Sequence, residues 1–166
     1  MSPKRSKKQI AAPPETFDQP PPVKPLPVIK VVGISGSGKS TLVRALRAAG
    51  YDARPVSQEH SNVPDLWQRF DRPAYLIYLN ADVEDQEARR QDVTWSLDAR
   101  YEEIRRLDHA REHADLRIDT GDLTPQEVCA VVLSFLKSQR VRHANHPMPP
   151  LPATGSAKAP PPDSAG

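Results

Sequence analysis

Glycine, lysine and hydroxyl residues stand at fixed spacing in residues 33–41, which read Gly-Ile-Ser-Gly-Ser-Gly-Lys-Ser-Thr and fit the pattern G-x-x-x-x-G-K-[ST]. Glycines permit the backbone angles that turn successive N–H groups toward one anion. A lysine adds positive charge for phosphate oxygens, and a serine hydroxyl is a suitable ligand for Mg²⁺. The pattern predicts that nucleotide phosphates contact Gly33, Ser35, Gly36, Ser37, Gly38, Lys39, Ser40 and Thr41, and that Ser40 ligates Mg²⁺.

The segments on either side of this loop have the periodicity of a strand and of a helix. Residues 28–32 form a nearly continuous β-branched run, which is typical of a strand buried on both faces of a parallel sheet. From Lys39 onward, apolar residues recur on one helical face until Gly50, which favours the end of the helix. A helix that begins at Lys39 points the positive end of its dipole at the loop, and this favours an anion there.

Strand-like and helix-like segments alternate along the rest of the chain. Further strands are predicted at residues 51–57, 74–79 and 116–120, and helices at 82–92, 97–113 and from Thr124. Residues 62–71 are predicted to form a short helix or a loop. The last helix has a capping box, with Thr124 as N-cap and Glu127 three residues later. This alternation indicates an α/β fold of three layers, with a short parallel sheet of about four strands.

Proline divides the chain into three parts. Eight of the 19 prolines fall in residues 1–27, seven in residues 143–166, and four in residues 28–142. We therefore expect a nucleotide-binding domain at 28–142 between two disordered, proline-rich tails. The basic N-terminal tail is either a solubilising extension or a ligand for RNA, an anionic surface or a protein partner.

Composition excludes several classes of protein. The formal net charge of +2 comes from the N-terminal tail, since residues 28–142 carry 17 basic and 18 acidic side chains, so we expect no specific nucleic-acid partner. No apolar run reaches 18 residues and no signal peptide is recognisable, so we expect a cytoplasmic protein with no membrane partner. The single cysteine, Cys129, excludes an intramolecular disulfide and suggests a buried structural thiol.

In three places the chain resembles the small P-loop kinases of the shikimate, gluconate and adenylate kinase type. The specific likeness is residues 31–41; residues 78–81 with Arg89 and Arg90 resemble the segment that leads into the lid of those kinases, and residues 114–120 resemble their last strand. The resemblance implies a P-loop NTPase, most simply a Mg²⁺-dependent kinase that transfers the γ-phosphoryl group of ATP to a small-molecule acceptor. The chain contains no Asn-Lys-x-Asp stretch of the kind that reads guanine, so ATP is preferred over GTP.

Arginines of those kinases bind the transferring phosphoryl group, and the resemblance carries this catalytic role to Arg90 and Arg106, beside Lys39. Forked guanidinium groups suit the charge that spreads over the phosphoryl oxygens in the transition state. The competing positions are Arg89, Arg100, Arg105 and Arg111. Each of these arginines could instead lie on a solvated helix face, paired with Glu102, Glu103 or Glu112.

The chain departs from those kinases where an acidic residue is needed near Mg²⁺. Only 16 residues separate Ser57 from Ala74, and they contain no apolar strand that ends in Asp. In one reading the second strand lies beside the first, and Glu59 just past its end serves as metal ligand or catalytic base, with His60 orienting an acceptor. Asp52 begins that strand and so lies at the wrong edge. In the other reading the chain is a non-enzymatic or weakly hydrolytic nucleotide-binding module that acts through partner proteins.

Two further patterns carry less chemistry. His109 and His113 have the i, i+4 spacing of zinc ligands, but the order of the segment differs from H-E-x-x-H, so a polar helix face is preferred. Trp67 and Trp95 flank the predicted site in sequence, and packing in the core or at an interface is the expected role of both.

Overall fold

The computed structural model describes residues 24–82, 84 and 96–152. Strand β1 (Val28–Gly33) leads through the glycine-rich loop, residues 34–38, into helix α1 (Lys39–Ala48). The strand is buried along nearly its whole length, as its β-branched run predicts. The strand, loop and helix therefore follow one another as the sequence indicates.

Three more strands complete a four-stranded parallel sheet: β2 (Asp52–Pro55), β3 (Tyr75–Asn80) and β4 (Leu116–Asp119). The strand order is β2-β1-β3-β4, and every neighbouring pair is parallel. The predicted α/β class and strand number are confirmed. Since all four strands run in one direction, the loops that follow them lie along a single edge of the sheet.

Two longer helices follow β3 and β4 in the chain. Helix α2 (Leu97–His113) begins at Ser96, whose hydroxyl accepts a hydrogen bond from the Ala99 N–H, and helix α3 (Pro125–Ser138) has the predicted capping box. Short 3-10 turns at Gln58–His60 and Leu66–Gln68 lie between β2 and β3. Except for residues 82 and 84, the helix predicted at 82–92 lies outside the described residues. None of the described helices is long and apolar enough to cross a membrane.

The core lies on both faces of the sheet. One face packs Ile29 and Val31 of β1 against α1 and α3, and the other packs Val32 against α2 and Trp67. Alternate residues of β1 thus point to opposite layers, which is the expected geometry of a central strand. Burial of apolar side chains on both faces fixes the position of β1 and of the loop that follows it.

Residues 143–152 pack against the domain, although the sequence assigns them to the C-terminal tail. The Ala144 N–H donates to the Gly50 carbonyl, the Met148 N–H donates to the Arg47 carbonyl, and Nε of Arg47 donates to the Pro149 carbonyl at 2.7 Å. The ring of His143 lies 4.7 Å from that of Tyr51. The folded part of the chain therefore extends ten residues past the predicted boundary, because backbone groups of α1 and its C-terminal turn bind the segment.

Candidate functional site

The glycine-rich loop has left-handed backbone at two of its glycines. Gly36 has a φ of 79° and Gly38 a φ of 95°. Gly38 is also the N-cap of α1 and provides no side-chain cap, and an added Cβ there would meet no atom of the described residues within 4 Å. The start of α1 is therefore open on the side where an anion would approach.

Gly33 joins β1 to this loop at a close backbone contact. A Cβ at Gly33 would clash with the Leu79 carbonyl oxygen of β3 and would lie 2.6 Å from Oγ of Ser37. Any larger residue would have to push β1 away from β3. The packing of these two strands therefore requires glycine at the first position of the motif.

Lys39 folds back over the loop. Its ammonium group donates to the carbonyl oxygens of Gly33 at 2.8 Å and Ile34 at 3.3 Å, and it lies 2.8 Å from Oε2 of Glu59. Its side chain is 12 % exposed. The lysine is thus held over the loop by two neutral carbonyl oxygens and one carboxylate.

Glu59 reaches Lys39 because β2 lies directly beside β1. The two strands pair over Val28 to Val31 and Asp52 to Pro55, and the turn that contains Glu59 follows β2 at the carboxyl edge. The structure therefore has the second strand next to the first, which is the arrangement that the sequence reading with Glu59 as the acid expects. Asp52 lies at the opposite end of β2, where it pairs with Arg47 and Arg54.

The turn that carries Glu59 is fixed by its neighbour Gln58, which is fully buried. The Gln58 amide donates to the carbonyls of Val63 and Arg106 and accepts a hydrogen bond from the Trp67 N–H. Glu59 is 3 % exposed, and its second carboxylate oxygen, Oε1, has no hydrogen-bond partner among the described residues. A buried carboxylate oxygen without a donor is costly unless a cation or a ligand meets it.

Arg106 of α2 lies at the same turn. Its guanidinium donates to the Glu59 carbonyl at 3.3 Å and to Oδ1 of Asn62 at 3.0 Å, and lies 3.7 Å from Oε1 of Glu102. The structure thus brings the Arg106 guanidinium against the backbone of the turn that contains Glu59. Arg90 and its competitor Arg89 lie outside the described residues.

The other competing arginines lie apart from the Lys39–Glu59 pair. Arg100 donates to the Ala81 carbonyl just after β3 at 3.0 Å. Arg105 and Arg111 pair with exposed acids of their own helix, Glu102 and Asp108. These last two form the ordinary solvated pairs that helical spacing predicts.

Glu103 also belongs to the site, although its position in the sequence predicts only a partner for arginines. It is 5 % exposed, and its carboxylate accepts hydrogen bonds from the Ser35 N–H at 3.0 Å and from the Ser35 hydroxyl at 2.7 Å. A weak signal exists in the sequence, because Arg100, Glu103 and Arg106 recur every three residues on one face of α2. That face meets the segments that follow β3, β1 and β2, respectively.

Two cavities adjoin the loop. One, of about 230 Å³, lies beside Gly38 and is lined by Ser37, Thr41, Leu42, Thr120 and Leu123 among others. Oγ of Ser37 is buried and has no hydrogen-bond partner among the described residues. The other, of about 600 Å³, lies between α1 and the C-terminal segment, with Ser40 and Arg44 at its wall. Space is thus available on both sides of the first turn of α1.

The structure also gives the positions of Ser40, His60, His109 and Cys129, which the sequence suggests for metal binding or as weaker functional candidates. Ser40 is exposed on the first turn of α1, and Nε2 of His60 lies 3.5 Å from Oε2 of Glu59. Nδ1 of His109 accepts a hydrogen bond from Nε1 of Trp67. Burial raises the pKa of the Cys129 thiol on α3. Within the described ranges, no three His, Cys, Asp or Glu side chains are grouped closely enough to hold a metal ion by themselves.

Comparison with models of known protein families and with curated proteins found no match for this chain.

Proposed function

We propose that the chain is a P-loop protein that binds Mg²⁺-ATP at the glycine-rich loop and transfers the γ-phosphoryl group to a small-molecule acceptor. The observation that carries the proposal is the pairing of Lys39 with Glu59 over a loop whose glycines are left-handed. A lysine and an acid brought together at the start of a helix by two adjacent parallel strands are the two charges that phosphate and Mg²⁺ need.

The donor set supports a magnesium ion at this position. The hydroxyl of Ser40 and the unpartnered Oε1 of Glu59 are hard oxygen ligands, and Mg²⁺ commonly uses one or two protein ligands together with phosphates and water. Mg²⁺, when bound, neutralises phosphate charge and orients the β- and γ-phosphates.

Each residue of the proposed site then has a defined role. The loop N–H groups and the dipole of α1 bind phosphate oxygens, and Lys39 exchanges its contacts with the loop carbonyls for contacts with phosphate. Glu59 holds the metal or accepts the proton of the acceptor hydroxyl. Arg106 places its guanidinium close to the same turn, where it can meet charge on the transferring group. The cavity beside Gly38 gives room for the adenine base of the nucleotide, and the cavity beside Ser40 gives room for the phosphate acceptor.

A second candidate is a nucleotide-binding module with little or no phosphoryl transfer. It is favoured by the shortness of the sheet, because β2 is at its edge and no described strand lies beyond it to supply a further acid. In this case Glu59 and Lys39 would bind the nucleotide and the chain would act through a partner protein.

Release of ADP separates the two candidates. Purified protein is incubated with Mg²⁺-ATP and with pools of hydroxyl- and carboxyl-bearing metabolites, and ADP is measured by an enzyme-coupled assay. The kinase hypothesis predicts that one pool raises ADP release at least about a hundredfold above the basal rate, the scale of a single positioned catalytic group, and that Glu59→Gln removes the increase. Slow release that no pool accelerates supports the binding module instead.

A further inference from the structure

Glu103 and Ser35 are joined by two hydrogen bonds although 68 residues separate them. Both oxygens of the Glu103 carboxylate are used, one by the backbone N–H and one by the hydroxyl of Ser35. The contact therefore restrains the main chain and the side chain of the residue that precedes Gly36. Hydrogen bonds to an ionised carboxylate are about twice as strong as those between neutral groups.

The position of Ser35 explains how this contact can affect the glycine-rich loop. It lies at the start of the glycine-rich loop, between the end of β1 and the first left-handed glycine, Gly36. A loop with several glycines loses much conformational freedom when it adopts one shape, so a fixed contact at its start reduces the number of shapes that it samples. Glu103 is itself held in place, because Arg100 and Arg106 anchor α2 on either side of it.

We propose that Glu103 is a positioning residue that holds the glycine-rich loop in its phosphate-binding shape through Ser35. The inference rests on the proposed nucleotide site and adds to it a contact from α2 that stabilises the shape of the loop. Glu103 accepts hydrogen bonds and gives or takes no proton during the reaction, so its carboxylate acts through Ser35 and not on the nucleotide.

A role in proton transfer would make a different prediction, and the Glu103→Gln variant distinguishes the two. Glutamine keeps an oxygen that accepts the Ser35 N–H, and its NH₂ group can donate to the Ser35 hydroxyl, which then acts as acceptor. A positioning role therefore survives Glu103→Gln and is lost in Glu103→Ala. A general base would instead lose phosphoryl transfer in both variants while the affinity for Mg²⁺-ATP stays unchanged.

The experiment measures Mg²⁺-ATP affinity by isothermal titration calorimetry for the wild type, Glu103→Gln, Glu103→Ala and Ser35→Ala. The matched control is Glu112→Ala, because Glu112 is an exposed acid of the same helix. Titrations are made well below the unfolding midpoint of each variant. We expect Glu103→Ala to weaken binding at least about tenfold, the scale of a charge-assisted hydrogen bond. We expect Glu103→Gln and Glu112→Ala to remain within about threefold of the wild type, as substitutions that keep the contact or never made it usually do.

Hydrogen–deuterium exchange of the loop provides a readout that nucleotide affinity does not influence. In the nucleotide-free protein, Glu103→Ala should accelerate exchange of the peptide that covers residues 33–41, while Glu103→Gln and Glu112→Ala should not. If Glu103→Ala does not fold, Ser35→Ala still tests the contact, because it removes one of the two hydrogen bonds and should weaken binding by a smaller factor. Where Glu103→Ala folds, the double variant of Ser35→Ala and Glu103→Ala shows whether the two residues act through one contact, because each single variant removes it.

Two results would overturn the inference. Binding and loop exchange in Glu103→Ala equal to those of the wild type would show that the contact does not position the loop. Equal damage in Glu103→Gln and Glu103→Ala would show that the negative charge matters and not the hydrogen bonds. Both results require a wild type that binds Mg²⁺-ATP, so they differ from a wild type that binds none, which contradicts the proposed function itself and removes this inference with it.

Discussion

Nζ of Lys39 lies 2.8 Å from Oε2 of Glu59. The two residues follow the adjacent parallel strands β1 and β2, which place them at the same edge of the sheet. The pair is almost fully buried, with side-chain exposures of 12 % and 5 %. A buried carboxylate is tolerated when a cation and hydrogen bonds compensate its lost hydration. Here Lys39 meets one oxygen and the other is left for a ligand, which is the arrangement that we interpret as a nucleotide and magnesium site.

Substitution of Glu59 should separate binding from catalysis. We expect Glu59→Gln to keep the fold, since glutamine still accepts a hydrogen bond from Lys39, and to lower Mg²⁺-dependent ADP release by about a hundredfold or more, the usual scale of a lost acid–base or metal-binding group. The rate is measured at saturating ATP. Glu112→Gln on the exposed side of α2 serves as control, and an unchanged rate in Glu59→Gln would exclude the assigned role.

The contact between Gly33 and Leu79 should make the first glycine of the motif indispensable to stability. Gly33→Ala is expected to lower the free energy of unfolding by about 2–3 kcal/mol, because the added Cβ overlaps the backbone of β3. Urea denaturation followed by circular dichroism gives the value. Gly38→Ala is the comparison, since only backbone strain of about 1–2 kcal/mol is expected where no atom lies within 4 Å. Equal stability of Gly33→Ala and wild type would contradict the close packing of β1 on β3.

The C-terminal segment at residues 143–152 should contribute to stability. A chain that ends at residue 152 keeps its contacts with Arg47, Gly50 and Tyr51, whereas a chain that ends at residue 142 loses them. We expect the free energy of unfolding of the shorter chain to be about 2 kcal/mol lower, because it loses several hydrogen bonds worth about 1 kcal/mol each. Denaturant unfolding of the two truncated chains measures the difference. Identical unfolding midpoints would show that the segment does not stabilise the fold.

The thiol of Cys129 should react slowly. Burial raises its pKa, so the thiolate, which is the reactive form, is scarce near neutral pH and becomes more abundant as pH rises toward and past 9. We expect reaction with Ellman's reagent at pH 7.5 to be at least about tenfold slower in the folded protein than in guanidinium chloride, and to accelerate with pH. A folded protein that reacts as fast as the unfolded chain would indicate an accessible, activated thiol instead of a packed one.

The sequence predicts the elements of this fold well because its local signals agree with the tertiary structure. The β-branched run of β1, the glycine motif and the capping box of α3 each determine a structure by short-range effects. The position of Glu59 depends on which strand lies next to β1. That pairing is set by packing of whole elements and not by residues 51–57 themselves.

Two features could not be predicted for physical reasons. Glu103 lies in a helix rich in arginine and glutamate, where a solvated pair is the ordinary expectation, and only the approach of α2 to the loop buries it against Ser35. The segment at residues 143–152 has the proline content of a tail. It is ordered by backbone hydrogen bonds to Arg47 and Gly50, and composition does not encode such bonds.

Calorimetric titration tests whether the loop and Lys39 bind a nucleotide. Mg²⁺-ATP and Mg²⁺-GTP are titrated into the wild type and into Lys39→Ala, with Lys137→Ala of α3 as the matched control and thermal unfolding to verify that each variant is folded. We expect micromolar binding of ATP by the wild type and by Lys137→Ala, weaker binding of GTP, and loss of at least about a hundredfold in affinity in Lys39→Ala, as expected for a lost charge-assisted phosphate contact. No binding by the wild type, or equal affinity in Lys39→Ala, would contradict this expectation.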